Sequence, residues 1–282
     1  MDPSLILPPL NIAALLRDYG LSPKKGLGQN FLVDPEALRK IIQAADILPG
    51  ALVLEVGPGL GSLTRGLAQV ARKVVAVELD EGLLPLLAKV LAGYPNVEIV
   101  KGDILEIDPP QLMGEAGYLV VANIPYYITS ALIRHLLSPE IKPARIVLTV
   151  QKEVADRICA EPGDLSLLAL SVQVYGAAKK ALRIPAGSFY PAPKVDSSVV
   201  RVDLYPQPLI ASDDLDDFFK LARAGFGQKR KTLRNSLSAG LHLPPDRVAA
   251  LLDSVGIDPR RRAETLSLRE WKSLVGVYKA SK

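Results

Sequence analysis

Short apolar, β-branched runs alternate with segments of helical period between about residues 40 and 205. Between the first five runs, apolar residues recur at helical spacing, as in Leu60–Val70 and Gly82–Leu91. Strands that alternate with helices in this way are typical of βαβ units and of a parallel, doubly wound sheet. The runs predicted to be strands are Ala51–Val56, Lys73–Glu78, Val97–Val100, Tyr118–Ala122, Arg145–Gln151, Leu167–Tyr175 and Ser197–Leu204.

The last of these runs lack long helical connections, so we expect them to pair antiparallel at one edge and make the sheet mixed. Tyr205–Pro208 contains two prolines, which disfavour both helix and strand, and only helical patterns follow. We therefore predict an α/β domain of residues 1–206 and a small all-helical domain of residues 207–282. Helices are predicted to open near Asn11 and to cover Leu221–Ala224, Lys229–Ser238, Pro245–Val255 and Ser267–Tyr278.

The composition of the chain indicates what class of protein it belongs to. The chain has 282 residues, of which 49% are hydrophobic and 23% charged, as in ordinary globular proteins. No run approaches the roughly 20 apolar residues that a membrane span needs. The single cysteine, Cys159, excludes an internal disulfide framework, and the two histidines are too few and too far apart in sequence for a metal cluster with sulfur and imidazole ligands. We expect a soluble, cytosolic protein without a metal.

Charge is distributed unevenly along the chain. Residues 1–206 carry a formal charge of −1 and residues 207–282 carry +5, which together give the net charge of +4. An excess of positive charge in one region suggests an anionic partner such as nucleic acid, although solvated basic surfaces are also common.

A glycine loop, Gly57-Pro58-Gly59-Leu60-Gly61, follows the first predicted strand and opens a helix. Glycines at such a position let the backbone turn sharply and approach a ligand at the helix N-terminus. The nicotinamide fingerprint places its third glycine one residue later, where this chain has Ser62. The spacing therefore disfavours a dehydrogenase.

Acidic residues end the next two predicted strands. Glu78 could accept hydrogen bonds from both hydroxyls of a ribose that lies across the carboxyl edge of the sheet. Asp103 could accept one from an adenine amino group. Each carboxylate alone could equally cap a helix or a turn, as we expect of Asp80. Together with the glycine loop, they predict an adenosine site.

The fourth predicted strand leads into Asn123-Ile124-Pro125-Tyr126. An exocyclic adenine nitrogen is a poor nucleophile because its lone pair is delocalised into the ring. The Asn123 side-chain oxygen and the Ile124 carbonyl, directed by Pro125, could accept the two amino hydrogens and favour a tetrahedral nitrogen. Tyr126 would then stack on the base. After an adenosine site, this motif predicts methyl transfer to an adenine.

Six motifs together resemble the ribosomal RNA adenine dimethyltransferase family. The similarity runs from about Lys24 to the C-terminus, with two departures: Ile124 stands where the family usually has Leu, and Leu27 where it often has an aromatic residue. We expect neither to abolish activity. The motifs are Gly28–Leu32, the glycine loop, Glu78, Asp103, Asn123–Tyr126 and Phe189–Ser197.

The resemblance implies a Rossmann-like class I methyltransferase domain with S-adenosylmethionine (SAM) as cofactor, followed by a helical domain that recognises RNA. By that similarity Gln29, Asn30 and Leu32 cap the cofactor, and Phe189 stacks on the base opposite Tyr126. The residues implied to bind the cofactor are Gln29, Asn30, Leu32, Gly57, Gly59, Gly61, Glu78, Asp103 and Asn123. The residues implied to act on the target adenine are Asn123, Ile124, Pro125, Tyr126 and Phe189.

Two groups of basic residues are candidates for RNA phosphates. Lys229, Arg230, Lys231 and Arg234 fall within one and a half turns of a predicted helix, and Arg260–Arg262 adds a second cluster. Solvated surface is the alternative for each cluster. Lys24 and Lys25, near the catalytic cleft, are further candidates.

Within the family, the chain is most similar to the branch that dimethylates N6 of two adjacent adenosines near the 3′ end of 16S rRNA. That branch implies 16S rRNA in an immature small ribosomal subunit as partner, a monomeric enzyme and no membrane. Three alternatives remain at this point: the resistance-type branch that methylates one adenine of large-subunit rRNA, a ribosome-assembly or transcription factor that retains the fold, and the disfavoured dehydrogenase.

Overall fold

Seven strands form the central sheet of the protein, which we describe from a computed structural model over residues 7–282. Their order across the sheet is β4-β3-β2-β5-β6-β9-β7, and β1 and β8 form a separate two-stranded sheet. The strands are β1 (Phe31–Leu32), β2 (Leu52–Val56), β3 (Lys73–Glu78), β4 (Val97–Lys101), β5 (Leu119–Asn123), β6 (Arg145–Gln151), β7 (Gly176–Ile184), β8 (Phe189–Tyr190) and β9 (Ser197–Leu204).

The sheet is mixed, as predicted. Strands β4, β3, β2, β5 and β6 pair in parallel, and β9 pairs antiparallel with β6. Strand β2 is buried along its whole length, which explains its uninterrupted apolar run apart from Glu55. Strand β7 was not predicted because its sequence has a single β-branched residue, Ile184, and is mostly exposed. Its lysines, Lys179 and Lys180, are typical of an edge strand, where they discourage pairing with another chain.

Twelve α-helices accompany the strands in the described part of the chain. Several begin with side-chain caps: Asn11 caps α1 where the sequence predicted a helix start, and Asp34 caps α2. The helices are α1 (Ile12–Asp18), α2 (Pro35–Ala45), α3 (Ser62–Val70), α4 (Leu84–Leu91), α5 (Pro109–Met113), α6 (Thr129–Leu137), α7 (Lys152–Ile158), α8 (Leu167–Gln173), α9 (Leu215–Phe226), α10 (Leu233–Leu241), α11 (Pro245–Asp253) and α12 (Leu268–Ala280).

The chain divides into two units. The first extends to Ala155 and resumes over Lys179–Leu204, and the second comprises Asp156–Ala178 and Tyr205–Lys282. The predicted division into residues 1–206 and 207–282 therefore needs two changes, since residues 156–178 group with the C-terminal helices and the second unit resumes at Tyr205.

The second unit is helical and has its own core. Trp271 and Phe218 are fully buried in it, together with Leu170 of α8. Leu167–Tyr175, predicted to be a strand, is mostly the helix α8. The Ser166 side chain accepts a hydrogen bond from the Ala169 backbone and caps this helix, a feature that outweighs the strand preference of a short apolar run. No helix among residues 7–282 is long and apolar enough to cross a membrane.

Candidate active site

The glycine loop joins β2 to α3 at the carboxyl edge of the sheet. Gly57, Gly59 and Gly61 have φ of 67°, 59° and 82°, the left-handed region that favours glycine. A Cβ at Gly59 would lie 2.9 Å from the Phe31 ring, whereas nothing lies within 4 Å of one at Gly57. The loop therefore packs tightly at Gly59 and presents open backbone at Gly57.

Gly61 has a different place from the one predicted. It does not line the cleft beside the loop; a Cβ there would meet Leu87 and Leu91 of α4 at 3.2 Å. A side chain at Gly61 would crowd these two leucines, so the third glycine leaves room for α4 to pack against the loop. Spacing alone could not separate this role from contact with a ligand.

Glu78, at the end of β3, is buried and holds the glycine loop. Its Oε2 accepts a hydrogen bond from the Gly59 backbone at 3.0 Å, and its Oε1 accepts one from the Asp80 backbone at 2.8 Å. Burial raises the pKa of Glu78, although these backbone bonds oppose the rise. The carboxylate thus lines the cleft in a fixed orientation.

Glu55 is a buried carboxyl that the sequence analysis missed. It lies in β2 with 1% of its surface exposed and lines the same cleft. Among the described residues its Oε2 has no hydrogen-bond partner. Burial raises the pKa of Glu55 to about 8, and the charge of Glu78 adds to the effect. An acidic residue inside an otherwise apolar strand was the available clue.

We expect Glu55→Gln to flatten the dependence of stability on pH. The carboxyl has an ordinary pKa of 4.5 and a pKa of about 8 in the folded protein. Folding therefore takes up a proton between these values, and the stability of the wild type falls as pH rises through that window. Thermal unfolding without cofactor, compared between about pH 5 and pH 8, should show Gln as the more stable variant at the higher pH. Parallel curves for both proteins would contradict a protonated Glu55.

Asp103 lies beyond β4 and lines the cleft with Glu78. Its Oδ1 accepts a hydrogen bond from the Leu105 backbone at 2.9 Å, so it also caps a turn. Leu79 and Ile104 follow the two acidic residues and provide apolar surface in the cleft. The sequence analysis did not include these two residues, although each directly follows a predicted site residue.

Asn123, the last residue of β5, has a defined orientation. Its Nδ2 donates a hydrogen bond to the Asn30 carbonyl at 3.1 Å. A carbonyl only accepts, so the amide nitrogen must face Asn30 and the side-chain oxygen must point elsewhere. Asn123 lines the cleft, and so do Ile124 and Pro125.

Tyr126 begins a short 3-10 turn after Pro125 and is half-buried. Its hydroxyl is 2.7 Å from the Ser197 Oγ, and its carbonyl accepts a hydrogen bond from Thr129 Oγ1 at 2.9 Å. Burial raises the pKa of Tyr126, so its hydroxyl stays neutral. These contacts hold the ring at the wall of the cleft.

Phe189 lines the same cleft from β8, where it pairs with Leu32 of β1. It is 4% exposed and belongs to the hydrophobic core of the first unit. Of the residues implied by the resemblance, all except Gly61 line this one cleft: Gln29, Asn30, Leu32, Gly57, Gly59, Glu78, Asp103, Asn123, Ile124, Pro125, Tyr126 and Phe189.

The basic residues predicted to bind RNA phosphates differ in whether a carboxylate already pairs with them. Lys24 is not a free cation, because its Nζ lies 2.6 Å from the Asp80 Oδ1, whereas Lys25 is exposed. Lys229, Arg230 and Lys231 are exposed but precede α10, which begins at Leu233 and not at the predicted Lys229.

Arg234 and the second basic cluster are engaged with carboxylates. Arg234 lies in α10, where its guanidinium is 2.9 Å from Asp246 of α11. The three arginines pair as Arg260 with Asp258, Arg261 with Glu270 and Arg262 with Glu264. Each arginine of this second cluster therefore has an acidic neighbour, and its contact with RNA phosphates stays a prediction.

The fold and the cleft define the class of protein. A glycine loop, two acidic residues and Asn-Ile-Pro-Tyr lie at the carboxyl ends of four successive parallel strands, all at one edge of a mixed α/β sheet. The chain is a Rossmann-like SAM-dependent methyltransferase.

Comparison with known proteins identifies its family. A family model described as "Ribosomal RNA adenine dimethylase" matches residues 20–280. A "Ribosomal RNA small subunit methyltransferase A" of Dehalococcoides mccartyi (strain CBDB1) is 48% identical over 265 residues, which cover 94% of this chain and 91% of the relative. This chain belongs to the ribosomal RNA adenine dimethylase family.

Two solved structures are similar over 89% of this chain. A dimethyladenosine transferase from Plasmodium falciparum has a TM-score of 0.78 at 28% identity, with 98% of its chain covered. The 23S rRNA methyltransferase ErmE has a TM-score of 0.72 at 30% identity, with its whole chain covered. The α/β fold predicted from the sequence is thus confirmed.

Proposed function

We propose that this enzyme transfers methyl groups from SAM to N6 of two adjacent adenosines near the 3′ end of 16S rRNA, within an immature small ribosomal subunit. It acts as a monomer in the cytoplasm, where bacterial subunits assemble. The name of the relatives, which match this chain at 42–48% identity, supports the small-subunit substrate. The 23S rRNA methyltransferase, at 30% identity, is less similar.

The orientation of Asn123 carries the proposal. With its nitrogen bound to the Asn30 carbonyl, its oxygen is available to accept a hydrogen from an adenine amino group. The Ile124 carbonyl would accept the second hydrogen. Two acceptors placed for the tetrahedral nitrogen stabilise the transition state more than the planar ground state, and so raise the rate.

The residues of the cleft fit SAM. When bound, SAM supplies a methyl group on a sulfonium, an electrophile that requires no strong general base. Open backbone at Gly57 can approach the methionine part, Glu78 can accept from the ribose hydroxyls, and Asp103 can accept from the adenine amino group. Gln29, Asn30 and Leu32 would cap the cofactor. Tyr126 and Phe189 would hold the target base between their rings.

Primer extension tests the reaction and its site together. Immature small subunits from cells that lack this methylation would be incubated with the enzyme and SAM, because two methyl groups on an adenine N6 stop reverse transcription. We expect stops at the two adjacent adenosines of 16S rRNA. Free 23S rRNA serves as the parallel substrate. Stops in 23S rRNA alone would overturn the proposal in favour of the large-subunit branch, and no stops in either would favour a non-catalytic factor.

The exposed loop Lys229–Lys231 is the proposed binding surface for RNA phosphates in the second unit. Replacing all three residues with Gln should reduce the slope of log Kd for RNA against log salt by about 0.7–0.9 for each phosphate that the loop no longer neutralises. SAM affinity should stay unchanged, because every residue of the cleft belongs to the first unit.

Arg260→Gln is the single-charge control for this triple variant, because Arg260 is exposed but paired with Asp258. Per charge removed, it should alter the slope less than the triple variant. An unchanged slope in the triple variant would move the RNA path elsewhere, to Lys25 and other basic residues around the cleft.

A further inference from the structure

A buried carboxylate outside the proposed chemistry holds a segment whose residues Leu27–Asn30 line the cleft. We call Lys24–Asn30 the cap segment. Asp80 is 4% exposed; its Oδ1 lies 2.6 Å from the Lys24 Nζ, and its Oδ2 accepts a hydrogen bond from the Gln29 Nε2 at 2.7 Å. The Gln29 Oε1 in turn accepts one from the Lys24 backbone at 2.8 Å. One carboxylate therefore binds both ends of the loop between Lys24 and Gln29.

Asp80 is also joined to the cofactor side of the cleft. Its backbone N–H donates to the Glu78 Oε1, and its Oδ1 accepts a further bond from the Gly82 backbone at 3.0 Å. Burial alone would raise the pKa of Asp80, but the bonds from Lys24, Gln29 and Gly82 outweigh it and hold the pKa below its ordinary value. The carboxylate thus remains charged at neutral pH.

The cap segment reaches the catalytic motif at its other end. Gly28 has a φ of 61°, and a Cβ there would lie 3.2 Å from the Pro125 Cβ and 3.5 Å from the Tyr127 ring. The Asn30 carbonyl accepts the bond that orients Asn123. The segment is therefore bound to Asp80 at one end and to the target-base side at the other.

We propose that Asp80 is a positioning residue that fixes the cap segment and, through Asn30, the Asn123 amide. The expected effect of Asp80 on the methylation rate rests on the function proposed above. Its expected effect on SAM binding does not. In this role Asp80 affects both SAM and the target adenine. The fixed cap segment slows the release of SAM. The fixed Asn30 carbonyl keeps the Asn123 oxygen directed at the target nitrogen.

Asp80→Asn is the test variant. Its Oδ1 can still accept a hydrogen bond from the Gly82 backbone, but its Nδ2 is a donor that faces the Gln29 Nε2, also a donor, so the bond to Gln29 is lost. We expect the Kd for SAM to rise about tenfold, and the single-turnover rate at saturating SAM to fall by a similar factor. Lys24→Met, which removes an ion pair at a half-exposed side chain, should move both quantities in the same direction by less. Glu81→Gln is the control, since this neighbouring acid forms an exposed pair with Lys101.

A polarity swap separates positioning from a general loss of structure. In Gln29→Glu/Asp80→Asn the new amide can donate to the new carboxylate, so we expect the Kd and the rate to lie closer to the wild type than those of Asp80→Asn and those of Gln29→Glu alone, in which two carboxylates face each other. Asp80→Asn that behaves like Glu81→Gln, or a double variant no better than Asp80→Asn, would overturn the proposal. If the wild type left 16S rRNA unmethylated, the proposed function would fail, and the Kd values for SAM would still decide the role of Asp80.

Discussion

Asn123→Ala is expected to lower the rate of adenine methylation by at least about 10²–10³-fold, while the Kd for SAM changes far less. The reason is the orientation set by the Asn30 carbonyl, which leaves the Asn123 oxygen available to the amino group of the target. This interaction strengthens in the transition state, so its loss acts on the rate and much less on binding. Single-turnover methylation of immature subunits, together with calorimetric titration of SAM, measures both quantities.

Asn96→Ala provides a matched control. The Asn96 amide donates to the carbonyls of Ala68 and Ala71 at 2.8 and 3.0 Å, away from the cleft residues. It should cost about 1–3 kcal/mol of unfolding free energy with an unchanged rate per folded molecule. Near-normal methylation by Asn123→Ala would show that the Asn123 oxygen does not activate the adenine nitrogen.

Phe189→Ala is expected to lower the free energy of unfolding by about 3–5 kcal/mol. The ring is 4% exposed and packs in the core of the first unit, so its removal leaves a cavity. Its removal also takes away the ring proposed to stack on the target base. A loss of activity in this variant alone would therefore mix two causes. Urea denaturation measures the loss of stability.

Phe189→Leu separates the two causes because it keeps most of the apolar volume. We expect a smaller stability loss, about 1–2 kcal/mol, and a weaker capture of the base through the missing stack, worth about 1–3 kcal/mol. Tyr126→Phe, which loses only the hydroxyl bonded to Ser197, should keep the stack. An RNA KM for Phe189→Leu equal to that of the wild type would remove Phe189 from the target site.

The sheet and most of the cleft were predictable because both follow from short patterns along the chain. Parallel strands place their carboxyl ends at one edge, so Glu78, Asp103 and Asn123 could be assigned to a common site from their positions at strand ends. Antiparallel pairing at the edge followed from the short connections. The helix at Leu167 was missed because a short apolar run has no clear period, and a single serine cap decided its structure.

Contacts with residues that are distant along the chain could not be predicted from the sequence. Lys24 and Arg234 carry full charges, yet the structure pairs each with a carboxylate 56 and 12 positions away along the chain. Gly61 has the same left-handed backbone as its two neighbours in the loop but faces α4. Sequence spacing predicts which backbone conformation a residue adopts far better than which neighbour it meets.

The small sheet of β1 and β8 has a consequence for how the protein folds. It pairs Phe31 and Leu32 with Tyr190 and Phe189, residues separated by about 160 positions, and so contributes contacts of high sequence separation. During synthesis the wall of the cleft at Phe189 emerges long after the glycine loop and Glu78. The site is therefore completed only near the end of the first unit, and a ribosome must translate past Tyr190 before the wall proposed to hold the target base is in place.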